Sequence, residues 1–509
     1  MPAWAIVALY QGYNGGDVHQ SGRDLPVPRL IHWFRRDLRL TDNTALAAAL
    51  TRAEEVVPVF VLDPAILGRP DTGLPRVAFL CTALAGLDAG CRAHGSRLLI
   101  VHGKPEEELP RLCATLLADG VCFNRDAEPF ARNRDAQVTE ILRQGGYTCE
   151  GFFDQGLHDS EAIMSPKGTH YSMYAPYRKR AEPDLYGAPP SIQDSAQRLA
   201  HLAPLRALPE SEPLPTAESL GLPPPLSTWA LGDEDAGRKL LQGFRMRLIT
   251  RYADERNNPA ADSTSHLSPH LRHGTVSARQ CLYVALHAHQ HPESRSGAEL
   301  WISELIWRDF YRMTLYHMPQ VEHHAAKPAF DDLQYENAPA LYDAWERGET
   351  GYPIIDAGMR QMHAQAWMHN RCRMVVANFL IKDLLCDYKL GERAFMLHLM
   401  DGDLAANNGG WQWSASTGVD AQPYFRIFNP LSQSQKFDPN GDYIRRWVPE
   451  LAKLPKEYVH APHAMPPLIA QQYGFRTGVD YPLPIVDHAI QRERALAMYR
   501  KIAKPEDAS

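Results

Sequence analysis

From Leu30 onward the chain alternates between short apolar runs rich in β-branched residues and longer stretches with helical spacing. IHWF at 31–34, VVPVFVLD at 56–63 and RLLIVHG at 97–103 read as strands, and VCFN at 121–124 as a weaker fourth. Helical segments fill the intervals near 43–52, 76–93 and 106–118. That alternation predicts a doubly wound parallel sheet with helices on both faces, an α/β domain over 29–160. Between about 181 and 232 the composition shifts to Pro, Ala and Ser, as in PLRALPESEPLPTAESLGLPPPLSTW. Residues 161–232 are therefore assigned to a long interdomain linker, ordered by packing rather than by secondary structure of its own. Beyond it strand-like alternation stops. Helical periodicity dominates 233–425, clearest in SHLSPHLRHGTVSARQ and WISELIWRDFYR, and returns after an irregular stretch in HAIQRERALAMYRKI. A second, all-helical domain is expected over 233–509.

Composition changes this picture little. The chain has 509 residues, 44% hydrophobic and 22% charged, an ordinary soluble profile with room for two or three cores. The net charge of −7 gives no global sign of a nucleic-acid partner, although a basic patch on one face remains compatible with it. Eight scattered cysteines without a CxxC pair suggest neither a disulfide framework nor a metal site, and point to a reducing, cytoplasmic setting such as a bacterial cytosol. Residues 1–28 stand apart as a loose N-terminal extension. Their WAIVALY run is too short to cross a membrane, and no membrane-spanning segment is expected elsewhere. No GxGxxG follows the first strand, so the usual dinucleotide fingerprint is missing.

The chemistry concentrates in DGDLAANNGGWQW, 401–413. Asp401 and Asp403 sit one residue apart, two asparagines follow, then two glycines, then Trp411 and Trp413. Glycines admit a large planar group close to backbone, an amide offers donor and acceptor to a heteroaromatic edge, and indoles offer faces for stacking. The bland alternative is a tight turn before a core aromatic pair. In TSHLS, hydroxyls and free N–H groups before a helix suit a pyrophosphate, or simply an N-cap. Trp301, Glu304, Arg308 and Tyr311 share one helical face, and Trp367, Asn370, Met374 and Asn378 are spaced as a second stripe.

With IHWFRRDLRLTDN, YPIIDAGMRQM and WMHNRCRMVVANFLIKDLL, these motifs closely resemble the photolyase/cryptochrome family of blue-light flavoproteins, from about residue 29 to the C-terminus. Within it, the chain looks like a class I photolyase that repairs cyclobutane pyrimidine dimers in DNA. The resemblance implies FAD, working as FADH⁻, held by Tyr252, Thr264, Ser265, His266, Leu267, Ser268, Trp301, Arg308, Trp367, Arg373, Asp401, Gly402, Asp403 and Asn407. Arg373 would pair with Asp401 beside the isoalloxazine, and Asn407 would stand opposite flavin N5, where a neutral amide suits a fully reduced flavin. Glu304, Asn370, Met374 and Asn407 would be catalytic. Trp307 and Trp413 would wedge a flipped dimer, with Glu304, Asn370 and Met374 on the lesion and Arg371, Arg426 and Lys436 on the DNA backbone. Met374 stands where (6-4) photolyases use a histidine pair. A monomer acting on damaged DNA is expected.

Two departures stand out. The family's tryptophan relay reads Trp411, Tyr388 and Tyr335 here, and a tyrosine must lose a proton when oxidised. Photoreduction is therefore expected to be slow, or to use another nearby aromatic. Phe130-Ala131 replaces the Asn-Glu pair of folate-binding relatives, so FNRDAEPFARNRD looks more like deazaflavin- or flavin-binding variants, with an empty antenna site also open. The rival reading is a cryptochrome photoreceptor signalling through a protein partner. Asn407, Glu304, Trp307, Met374, Trp413 and the short C-terminal tail favour the enzyme.

Overall fold

The computed structural model describes residues 28–229 and 232–502, so the expected N-terminal extension lies outside the described residues. Five parallel strands, β1 Arg29–Phe34, β2 Glu55–Leu62, β3 Leu99–His102, β4 Gly120–Asn124 and β5 Thr148–Phe152, form one sheet in the order β3-β2-β1-β4-β5. Ile31 sits opposite Val57 on one side and Val121 on the other. Because side chains alternate along a strand, Ile31, Trp33, Val57 and Val59 pack under α3 (Pro105–Leu116) and α4 (Pro129–Gln144). Phe34, Val56 and Phe60 pack on the opposite face under α1 (Thr44–Arg52) and α2 (Leu74–Ala93). Full burial of each such side chain contributes about 1.5–3 kcal/mol, which explains the near-continuous apolar runs. α2 is long and apolar enough to cross a bilayer, yet half of it is buried as a core helix. β5 is the strand the sequence pattern hides: TCEGF is a half-exposed edge with no apolar alternation.

The linker assignment needs correction. Residues 161–232 contain a helix, α5 (Tyr174–Gly187), whose Tyr174, Tyr177, Ala181 and Leu185 belong to the core of the helical region. Pro176 and Pro183 obscure its periodicity in the sequence. After it, Leu199, Leu202, Ala203 and Leu208 pack back onto the sheet domain.

The helical region supplies the elements that carry or adjoin the predicted site residues. These are α6 (Ile249–Glu255), α7 (Ser268–His273), α8 (Arg295–His317), α9 (Pro339–Arg347), α10 (Asn370–Lys382), α11 (Tyr388–His398), α12 (Leu404–Ala415) and α13 (Pro430–Phe437). α12 crosses α8 where a Cβ on Gly409 would come 2.1 Å from the Tyr311 ring. It crosses α11 where a Cβ on Gly391 would come 2.1 Å from the Trp411 ring. Those two glycines let three helices meet closely around the 401–413 segment.

Candidate functional site

The turn into α12 is held by charge. Arg373 grips Asp401 through both guanidinium nitrogens, at 3.1 and 2.7 Å, and donates from Nε to Met368 O. The predicted Arg373–Asp401 pair is thus formed, and its carboxylate is buried. Asp403 caps α12 by accepting from Ala406 N at 3.1 Å. Burial raises the Asp403 pKa, but Arg36, Arg312, Arg308 and Arg272 outweigh it and hold the group far below the usual carboxylate range. Burial and like-charge neighbours push Arg308 down to about 10 and Arg272 down to about 9. Burial is the larger cause of both depressions, and an anion entering beside these guanidiniums would offset part of that cost. Arg36, from the loop after β1, also pairs with Asp126 and Glu128 and ties the sheet domain to α12.

The same cluster is stitched to the TSHLS segment. Arg272 donates to Gly402 O at 2.8 Å, and Arg308 to Leu271 O at 3.0 Å. In the loop between α6 and α7, Ser263 Oγ and Thr264 Oγ1 are buried hydroxyls with no hydrogen-bond partner among the described residues. Leaving such groups unpaired costs about 1–3 kcal/mol each, so the loop suits a ligand bearing acceptor oxygens. Orphaned hydroxyls on this loop, with Arg272 on the helix that follows and Arg308 bonded to that helix, fit the diphosphate end of FAD.

The other predicted contacts divide. Ser265 Oγ accepts from Leu267 N, and Ser268 Oγ accepts from Trp367 Nε1 at 3.3 Å. His266 stands at φ +53°, bonds Asp262 at 2.7 Å and lies over Trp367. Leu267, Tyr252 and Trp301 are buried in one apolar cluster, with Trp301 4.5 Å from Phe244. Leu267 could therefore reach a cofactor only through its backbone. The Trp367 stripe is also corrected: α10 begins at Asn370 with His369 as its cap, so Trp367 precedes the helix. Asn378 is buried and accepts from Phe428 N at 2.9 Å, while its Nδ2 finds no partner among the described residues.

Glu304 is half-exposed and paired at 2.9 Å with Arg256, which the sequence reading overlooked. An ion-paired carboxylate of this kind is a hydrogen-bond acceptor. Trp307 stacks on Tyr174, with ring centroids 3.6 Å apart and planes 8° from parallel, so one indole face is already covered. Tyr174 is anchored by its hydroxyl, which donates to Ser303 O. Trp413 is half-buried and borders a small cleft with Tyr311, Gly409 and Asp420. Asn370 is exposed and Met374 half-buried. Asn407 donates from its amide to Glu392 O at 2.9 Å, and the neighbouring Asn408 donates to Glu392 Oε1 at 3.1 Å. Glu392 is a nearly buried acid that no motif flagged.

Among the expected backbone contacts, Arg426 and Lys436 are exposed. Arg371 differs, since it donates to Asn257 at 2.7 Å and lies over Phe437. In the expected relay, Trp411 and Tyr388 are buried and Tyr335 half-buried. The ring contacts of Trp411 among the described residues are Trp345 and Phe395, and neither tyrosine is among them. A separate cavity of about 470 Å³ opens beside β4, β5 and α4, lined by Phe123, Arg132, Asp135, Phe153 and Tyr316 among others. None of the predicted flavin or lesion residues lines it, nor do Phe130 and Ala131.

Comparisons with known proteins agree with this constellation. Residues 30–196 match the family described as DNA photolyase, and 301–501 the FAD binding domain of DNA photolyase. A deoxyribodipyrimidine photo-lyase from Synechococcus is 41% identical, covering 94% of this chain and 98% of its own. The one from Escherichia coli is 37% identical, covering 93% and 98%. The crystal structure of a bacterial class III photolyase from Agrobacterium tumefaciens superposes with a TM-score of 0.87 at 36% identity, covering 96% of this chain and 99% of that one. A Synechocystis cryptochrome superposes at 0.85 with 28% identity, over 94% and 99%. Near-complete coverage at these identities, over the segments that build the buried Asp401–Arg373 pair and the arginine cluster, places the chain in the DNA photolyase family.

Proposed function

We propose that the protein is a deoxyribodipyrimidine photo-lyase that binds FAD and splits cyclobutane pyrimidine dimers in damaged DNA under blue light. The observation that carries this reading is the meeting, at the turn into α12, of the Arg373–Asp401 pair, Asp403 in its arginine cluster and Asn407. Bound FAD, fully reduced and excited by light, supplies the electron that opens the cyclobutane ring. The chain's own residues prepare both partners. Arg373 and Asp401 would flank the ring system, Asp403 would border the polar edge of the cofactor, and Ser263, Thr264 and Arg308 would hold its phosphates. Asn407 has its amide nitrogen committed to Glu392 O, which leaves a carbonyl oxygen rather than an acid to face the flavin.

Flipping a dimer out of the duplex costs a few kcal/mol, less than for an undamaged base. Stacking on Trp413 and on the outer edge of Trp307 offsets that by roughly 1–3 kcal/mol per base. Glu304 accepts from the pyrimidine N3–H, while Asn370 and Met374 border the lesion. Eight free cysteines suit a reducing cytosol, and we take the working unit to be a monomer on DNA. The cavity beside β5, lined by Phe123, Phe153 and Tyr316 together with four arginines and four carboxylates, is the candidate place for a deazaflavin or flavin antenna. The absorption spectrum of the purified protein identifies that pigment.

Purified protein, chemically reduced and mixed with an oligonucleotide carrying a thymine dimer, is expected to restore the two thymines under blue light and to leave them joined in the dark. Loss of (6-4) lesions with dimers intact would contradict the subclass. Intact lesions of both kinds under light would favour a cryptochrome-type receptor.

A further inference from the structure

Trp411 is buried with its Nε1 unpartnered, and Trp345 meets it edge to face with ring centroids 6.2 Å apart. Trp345 lies in turn 5.8 Å from Tyr342. Both belong to α9, three residues apart, so a single helix carries ring contact from a fully buried indole to a half-buried phenol. We propose that Trp345 and Tyr342 conduct the oxidising hole outward from Trp411, as the route by which resting flavin is photoreduced in this chain. The proposal rests on the flavoenzyme reading above, with Trp411 as first donor.

Proton chemistry separates this route from the one through Tyr388. An indole that keeps its N–H proton passes a hole on as a cation. Trp411 Nε1 has no acceptor among the described residues, and Trp345 Nε1 donates at 3.0 Å to Val376 O, a helix carbonyl too weakly basic to take the proton. Phe395, the other ring against Trp411, is a hydrocarbon and far harder to oxidise. A phenol must give its proton away as it is oxidised. Tyr388 is 3% exposed, and no carboxylate or imidazole is hydrogen-bonded to its hydroxyl among the described residues. Burial, then the charges of Glu392 and Asp387, push its pKa far up. Tyr342 is the opposite case. Glu346, one turn along α9, is the carboxylate whose charge bears on it, and burial with that neighbour pushes the phenol up to about 12. Glu346 itself touches His398 at 3.4 Å, with both side chains one-third exposed, so a proton arriving there has an outlet.

The steps balance. Trp411 gives one electron to the photoexcited oxidised flavin, and Trp345 gives one to the Trp411 cation. Tyr342 then gives one electron to the Trp345 cation and its phenolic proton to the Glu346 carboxylate. An external thiol returns an electron and a proton to the neutral tyrosyl radical and becomes a thiyl radical.

The test uses FAD-loaded protein with oxidised flavin, without oxygen, with an external thiol, and reads flavin bleaching together with the transient absorption of aromatic radicals. Trp345→Phe is expected to slow bleaching several-fold, approaching Trp411→Phe. Tyr342→Phe and Glu346→Gln should remove or delay the tyrosyl signal. Tyr388→Phe should slow bleaching less than Trp345→Phe. Flavin content and thermal unfolding report whether each variant keeps its fold, and Tyr342 and Glu346, being half-buried, decide the matter should Trp345→Phe lose flavin. Bleaching at the wild-type rate with an undiminished tyrosyl signal in Trp345→Phe, Tyr342→Phe and Glu346→Gln would overturn the proposal. So would a Tyr388→Phe variant as slow as Trp411→Phe.

Discussion

In the proposed site, Glu304 and Trp413 would divide the recognition of a flipped base between a hydrogen bond and a flat face. Glu304 is fixed by Arg256 from α6's C-terminal end, so its acceptor oxygens are oriented before any lesion arrives. Hydrogen bonds to charged groups contribute about 1.5–3 kcal/mol, so Glu304→Ala is expected to lower repair yield by roughly ten- to a hundredfold while changing DNA affinity less. Parallel repair and binding measurements check this, and equal losses would rule the role out. Trp413→Ala should weaken binding to dimer-containing duplex by about 1–3 kcal/mol and spare undamaged duplex. Trp307→Ala should do the same but also lower the melting temperature, because it strips the stack on Tyr174. Glu304 and both indoles were legible from spacing and resemblance. Arg256 and Tyr174 were not, because an ion pair between α6 and α8 and a stack between α5 and α8 have no local signature.

At the scale of elements, the packing of α12 against α8 and α11 is built on two small residues and one buried acid. In the sequence, the glycine pair invites a planar ligand. In the structure, Gly409 gives its space to the Tyr311 ring, while Gly410 faces open space. Gly391, outside the motif, is what admits Trp411. Glu392 lies between them. Burial, opposed by the Asn408 hydrogen bond and Lys389, raises its pKa to about 7, with Glu322 and Asp387 adding to the rise. A folded-state pKa above the unfolded value means that the folded chain holds the extra proton. Its stabilisation is complete below about pH 4.5 and is lost as pH rises through 7. Relative to wild type, Glu392→Gln should therefore gain stability between those limits, by roughly 3 kcal/mol at most. Thermal unfolding of both proteins across that pH range tests it. A constant difference would mean that Glu392 titrates normally.

At the scale of the molecule, Arg36 joins the sheet domain to α12 through Asp126, Glu128 and Asp403, so the cofactor end of the helical region is braced by the other domain. The three charges proposed to face DNA differ in how free they are. Arg426 and Lys436 are exposed, whereas Arg371 is committed to Asn257 and Phe437. Arg426→Ala or Lys436→Ala should weaken binding to damaged and undamaged duplex alike, each lowering the salt slope of log K by about 1. Arg371→Ala should change that slope less. Binding titrations across salt concentrations separate the three.

The sequence by itself determined the class of each domain, since strand-period and helix-period burial leave a record in local hydrophobic order. It also determined the Arg373–Asp401 pair and the Asn407 position, because their motifs are contiguous. It failed at β5, where an edge strand needs little apolar content, and at α5, where two prolines mask a core-facing stripe. Only the tertiary structure decided which charges surround Asp403, which ring covers Trp307 and which indole touches Trp411. Those partners come from residues 36, 174 and 345, brought together by packing between elements far apart in the chain, and no local pattern encodes a contact whose two halves are selected by different helices.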